Sequence, residues 1–114
     1  MNNPLRGEIW LVKLDPVLGH EQAKTRPCLV ISNNEFNRSL AKLIIIVPLT
    51  SQSKTFSLHI KIPHHESGLK TESFIMPEHV RSVSTQRFIE PIGQASYNIL
   101  LEVEEKIKLL LDFV

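Results

Sequence analysis

A chain of 114 residues, 42% apolar and 22% charged, has the size of one domain and carries about 48 apolar side chains, enough for a single core. Four glycines and seven prolines exclude a collagenous or low-complexity chain, and 13 basic against 12 acidic residues exclude a disordered polyelectrolyte. A formal net charge of +1 argues against a highly basic nucleic-acid wrapper, but the charge is unevenly spread. Between His20 and Lys61 six cations stand against two acids, a local charge of +4, whereas the stretch from Asn98 onward carries −2. One part of the molecule can therefore attract phosphates while another does not.

The first strand is read at Glu8–Leu14, rich in β-formers, after Gly7 and before Asp15-Pro16. A polar loop of about a dozen residues follows, long enough to suspect a function. Pro27 opens a second strand, Cys28–Ser32, where a missing backbone donor is tolerated. Asn33–Arg38 is turn-rich with room for one helical turn. Lys42–Leu49 is the most apolar segment, with four β-branched residues at Ile44–Val47, and is expected at the centre of the sheet with Pro48 interrupting its end.

Phe56–Ile62 alternates with period two, placing Ser57, His59 and Lys61 on a wet face. His64–Gly68 reads as a turn, and Ser73–Val83 and Phe88–Gly93 supply further short strands broken by Pro77 and Pro91. From about Asn98, Leu100, Val103, Ile107, Leu110, Leu111 and Val114 form the stripe of an amphipathic helix, with Glu102–Lys106 and Glu104–Lys108 as favourable pairs. The pattern predicts one domain over residues 1–114: a mainly β fold, a small antiparallel barrel with a C-terminal helix.

The longest apolar run, Leu43–Val47, is far short of the roughly 20 residues that cross a bilayer, and Met1–Arg6 lacks the features of an export signal. No membrane contact and a cytoplasmic location are expected. The single cysteine, Cys28, cannot form an intrachain disulfide and reads as a small core hydrophobe.

Two segments carry candidate chemistry. Gly19–Pro27 holds a carboxylate, Glu21, and two cations, Lys24 and Arg26, the arginine fixed by the proline after it; such a loop can close over an anion and present a planar multi-donor group to phosphate. Pro48–Gln52 places Thr50, Ser51 and Gln52 at the end of a buried strand, where a hydroxyl or amide is held rigidly. A solvated loop and an ordinary turn are the plainer readings of each. Neither a helix with ligands four apart nor a carboxylate pattern accompanies His59, His64 and His65, so no metal or other cofactor is expected. His20 and His79 suggest an acid–base pair, and each histidine otherwise reads as a surface side chain.

Taken in order, Gly7-Glu8-Ile9-Trp10, Leu14-Asp15-Pro16, Gly19-x-Glu21-Gln22, Arg26-Pro27, Val30-Ile31-Ser32, Asn37-Arg38, Val47–Gln52, Val80–Val83 and Gln86-Arg87 resemble the MazF/PemK family of toxin endoribonucleases over nearly the whole chain. The resemblance implies a CcdB-like or SH3-like barrel and a homodimer neutralised by a MazE-like antitoxin. It also implies metal-independent, sequence-specific cutting of single-stranded mRNA by attack of a 2′-hydroxyl on its own phosphodiester. The products would be a 2′,3′-cyclic phosphate and a 5′-hydroxyl, with translation and growth inhibited.

Matched residue by residue, the resemblance implies catalytic roles for Arg26, Thr50 and Glu21, and substrate contacts for Gln22, Lys24, Gln52, His79 and Arg81. A guanidinium, with an ordinary pKa of about 12.5 or higher, suits charge stabilisation better than proton donation, and a glutamate at about 4.3 would have to rise to be an efficient base, so acid and base stay open. The chain departs from the family at His79, where several relatives have glutamine, and at Lys24, where the family often has glycine. Two other classes compete: a non-enzymatic CcdB-like gyrase poison and a plain RNA-binding barrel. The first acts through a tryptophan near the C-terminus, whereas the only tryptophan here is Trp10; the second is poorly served by so few aromatic residues.

Overall fold

The computed structural model describes residues 3–14, 24–52 and 58–113. Within them lie strands β1 (Glu8–Lys13), β2 (Thr25–Val30), β3 (Leu43–Thr50), β4 (Ile60–Ile62), β5 (Ser73–Ile75), β6 (Arg81–Ser84) and β7 (Phe88–Gln94). Neighbours run β4-β5-β3-β2-β1-β7, with β6 paired to β3 as well, and every pairing is antiparallel. One helical turn, α1 (Asn34–Asn37), links β2 to β3, a second, α2 (His64–Ser67), follows β4, and α3 (Tyr97–Leu111) packs on the sheet.

The unbroken apolar run of β3 makes it central because both of its faces are covered. Val47 and Leu49 join Ile9, Leu29, Ile62 and Ile75 against Ile99 and Val103 of α3. Ile44 and Ile46 join Trp10, Val12, Cys28, Val30 and Phe88 in a second cluster, since alternate residues of a strand point to opposite faces. Trp10 and Phe88 meet edge to face there, 5.8 Å between centroids.

One long strand serves three partners. Leu43–Ile46 pair with β6, Ile46–Pro48 pair with β2, and Leu49–Thr50 pair with β5. The changes of partner curl the sheet into a half-barrel, with α3 against one face. Pro48 therefore lies within β3, which continues to Thr50, one residue past the Leu49 at which the sequence placed its end. Likewise β2 begins at Thr25, two residues ahead of Pro27, which pairs with Leu11 of β1.

Other differences have local causes. His64–Ser67 is a helical turn closed by Gly68 in the left-handed conformation, φ +78°. The Ser73–Val83 stretch is divided by a 3-10 turn at Pro77–His79. β4 starts at Ile60; Phe56 and Ser57 of the expected strand lie outside the described residues. His59 is not on a wet face: its side chain is 4% exposed because its Nε2 meets Glu78 Oε2 at 2.5 Å.

In α3, Ser96 Oγ accepts the Ile99 N–H as N-cap, and Asp112, at φ +58°, ends the helix. Ile99 and Val103 fill the core, Leu100 and Ile107 are half-buried, but Leu109, Leu110, Leu111 and Phe113 are exposed. The predicted stripe is thus covered over its first half only. Among the described residues no helix is long and apolar enough to cross a membrane.

Candidate active site

The site arises where β2 and β3 part. Their register pairs Cys28 with Pro48, Leu29 with Val47 and Val30 with Ile46, and stops there. Neither Pro27 nor Pro48 can donate a backbone hydrogen bond, so the ladder loses donors at the point of divergence. Met76 N–H takes the Pro48 carbonyl instead, at 2.9 Å, drawing this end of β3 towards β5.

The opening is a cleft of about 350 Å³. Lys24, Arg26 and Pro27 line one side, Leu49, Thr50 and Ser51 the floor, and Leu69, Lys70, Thr71 and Ser73 the far wall. Carrying the β2–β3 register two residues past its last pair aligns Arg26 with Thr50. The two candidate catalytic groups therefore share one cleft, though 24 positions separate them in the chain.

Thr50 Oγ1 accepts the backbone N–H of Gln52 at 3.2 Å, so its own proton remains available to an acceptor in the cleft. Arg26 is half-buried. Lys24 stands at φ +64°, a left-handed conformation that glycine adopts without cost, and its carbonyl receives the Leu14 N–H at 2.8 Å. The position where the resembled family often has glycine thus demands a glycine-like backbone, and this chain places a cation there.

The far wall is locked by two glycines. A Cβ on Gly68 would lie 1.6 Å from the Ile92 carbonyl oxygen, and one on Gly93 would meet the carbonyl oxygens of Glu66 and Ser67 at 2.4 Å. Only bare backbones fit so closely, and they hold α2 and the segment after it against β7.

The remaining sequence-predicted residues are scattered. The exposed Gln52 supports Thr50 through its backbone, but its side chain is not part of the cleft lining. His79 Nε2 lies 3.8 Å from Glu78 Oε2, the oxygen that also holds His59, and neither His79 nor Arg81 lines the cleft. Arg81 and Arg26 both act on a group outside the cleft, the buried Cys28 thiol. Burial pushes the Cys28 thiol up to about 12, against a smaller opposing pull from Arg81 and then Arg26. Glu21 and Gln22 lie outside the described residues. Among the described residues no three His, Cys, Asp or Glu side chains are placed to hold a metal ion.

Sequence reasoning missed Lys70, Thr71 and Ser73, and singled out Thr25 only as part of the Gly19–Pro27 segment. The polar run Lys70-Thr71-Glu72-Ser73 before an apolar strand was the available signal, and it resembles any strand entry.

Comparison with known proteins decides the family. The model for PemK-like, MazF-like toxins of type II toxin–antitoxin systems matches residues 5–111. The chain belongs to this family. It is 37% identical over 112 residues to the endoribonuclease MazF9 of Mycobacterium tuberculosis, covering 94% of this chain and 95% of that one. Its fold matches the crystal structure of MazF from Deinococcus radiodurans with a TM-score of 0.89, at 29% identity over 99% of this chain and 100% of the other. A MazE–MazF crystal structure from the same organism matches with a TM-score of 0.83, at 28% identity over 100% of both chains. The chain thus has structural relatives in complex with a MazE antitoxin.

Proposed function

We propose that this chain cuts single-stranded RNA through the cleft between β2 and β3, with Arg26 and Thr50 acting on one phosphodiester. As a MazF-like toxin, the chain is an endoribonuclease of a toxin–antitoxin system. What carries the finer reading is that both side chains line a single 350 Å³ cleft whose rim bears Lys24 and Lys70.

In-line attack of a ribose 2′-hydroxyl on the adjacent phosphorus builds negative charge on the non-bridging oxygens. Preorganised donors lower that barrier most where charge develops. Arg26 presents a planar fork of N–H groups to those oxygens, and Thr50, oriented by the Gln52 N–H, donates its hydroxyl proton to one of them. Glu21 serves as the base that takes the 2′-hydroxyl proton. As the O2′–P bond forms the P–O5′ bond breaks, and the departing O5′ takes a proton from solvent water, leaving a 2′,3′-cyclic phosphate and a 5′-hydroxyl; no metal is required.

Lys24 and Lys70 hold flanking phosphates, and Gln22, Gln52, His79 and Arg81 contact the RNA beyond the scissile bond. The toxin works as a homodimer and is neutralised by a MazE-like antitoxin; Leu109, Leu111 and Phe113, exposed at the end of α3, offer apolar surface of the kind a protein partner covers.

The test is incubation of the purified chain with a long single-stranded RNA in the presence of a chelator, followed by end analysis. Discrete cuts with 5′-hydroxyl ends, lost in Arg26→Ala and in Thr50→Ala with their folds intact, are expected. RNA left whole by the wild-type chain would overturn the proposal.

A further inference from the structure

We propose that Phe74 is the stacking platform for the nucleobase next to the scissile phosphate. The inference rests on the ribonuclease reading above and extends it to a residue which that reading does not use. Directly opposed residues of an antiparallel pair put their side chains on one face. Phe74 is opposite Thr50 of β3 on one side and opposite Lys61 of β4 on the other. Arg26 stands at the position aligned with Thr50 across the other edge of β3. Four strands thus present Lys61, Phe74, Thr50 and Arg26 as one row on one face. The next row, Ile60, Ile75 and Leu49, points the other way, into the core against α3.

The Thr50 hydroxyl in this row separates a guanidinium from a phenyl ring. Opposed side chains start about 4.5–5.5 Å apart at their β-carbons, so the ring is an immediate neighbour of the hydroxyl. Phe74 is half-buried, between the buried Ser73 and Ile75. Because β5 is paired on both edges, the part of Phe74 that meets solvent is its side chain. Lys61, beyond the ring, has its Nζ 3.2 Å from Glu72 Oε2. That carboxylate counters its charge, which leaves the Arg26 end of the row as the stronger attraction for phosphate. A phosphodiester held by Arg26 and Thr50 therefore carries an adjoining nucleoside towards Phe74, where the flat side of its base covers the ring. A phenyl ring has no group that reads a base edge. It takes any base by its π face, so it supplies affinity and leaves sequence choice to other residues.

The experiment compares wild type, Phe74→Leu and Phe74→Trp in three measurements. These are cleavage of a long single-stranded RNA, binding to a single-stranded DNA of the same sequence, which lacks the attacking 2′-hydroxyl, and thermal unfolding. Leucine keeps apolar bulk and removes the flat face; tryptophan enlarges it. With unfolding midpoints close to wild type, Phe74→Leu should lower apparent kcat/KM and DNA affinity by about 5-fold to 100-fold, the loss of one stacked base. Phe74→Trp should match or exceed wild type, and the positions cut should stay the same in all three. Phe74→Leu that cuts and binds as well as wild type overturns the platform alone. Two variants weakened equally, or in step with lowered midpoints, assign the ring a packing role and also overturn it. Wild type that binds the DNA but leaves RNA whole overturns the ribonuclease reading, and the binding ratios then decide the ring by themselves. Wild type that neither binds nor cuts overturns both.

Discussion

Arg26 and Thr50 face each other across a ladder that has just ended: they occupy the register position two residues beyond the Cys28–Pro48 pair. Each is still within its strand, so the backbone fixes both groups while the missing rungs leave space between them. That relationship makes the arginine's shape testable separately from its charge. Arg26→Lys keeps a cation but loses the planar fork, and should lower kcat about 10-fold to 100-fold; Arg26→Ala should lower it by about 10²-fold to 10³-fold. Single-turnover cleavage of a short RNA measures both. Equal losses in the two variants would show that geometry and not charge dominates.

Lys24 should separate binding from stability. Its left-handed backbone costs roughly 1–2 kcal/mol in a residue with a side chain, part of which glycine returns through its greater freedom when unfolded. Lys24→Gly is expected to unfold at the same temperature or slightly higher, while KM for RNA rises several-fold. The slope of log affinity against log salt should shrink by about one unit, as for loss of one phosphate contact.

Gly93 tests whether the far wall sets the cleft's width. It does not line the cleft, but a methyl group there collides with the carbonyls of Glu66 and Ser67. Gly93→Ala should displace α2 and the Leu69–Ser73 segment, lowering the unfolding midpoint and raising KM although neither Arg26 nor Thr50 has changed. An unaltered KM in a destabilised variant would detach the wall from substrate binding.

Cys28 gives a pH signature. Burial raises its thiol from 9.0 to about 12 in the folded chain, with Arg81 and Arg26 opposing more weakly. The folded state thus retains a proton that the unfolded state releases above pH 9. This contribution to stability is complete below pH 9 and is lost as pH rises from 9 towards 12. The drop in unfolding temperature across that window should be smaller in Cys28→Ala than in wild type. In the native protein at neutral pH the thiol should resist alkylation.

Most of the scaffold was legible in the sequence because it rests on patterns that survive folding. The β-branched run at Ile44–Val47 announced a strand covered on both faces, and the spacing of Val103 and Ile107 announced a helix. Pro48 does not end the strand, because a new partner takes over there: β5 pairs with Leu49 and Thr50 from 24 or more residues away in the chain. His59 misled: alternation marked it as exposed, but Glu78, on another element, covers it. Arg26 and Thr50 were readable from the family resemblance. Lys70 was not, because a lysine in a polar run before a strand has no local signature and acquires meaning only from what lies across the cleft.

The exchange of partners along β3 has a consequence for how such a molecule can change over time. A gap made by subtracting rungs from a ladder does not depend on any particular loop to keep it open. Segments beyond the strand ends can lengthen, shorten or swap charges without shifting the guanidinium relative to the hydroxyl. Under the proposed function, the choice of RNA and the breaking of its bond can therefore diversify independently, the first through the rim and the second through the sheet.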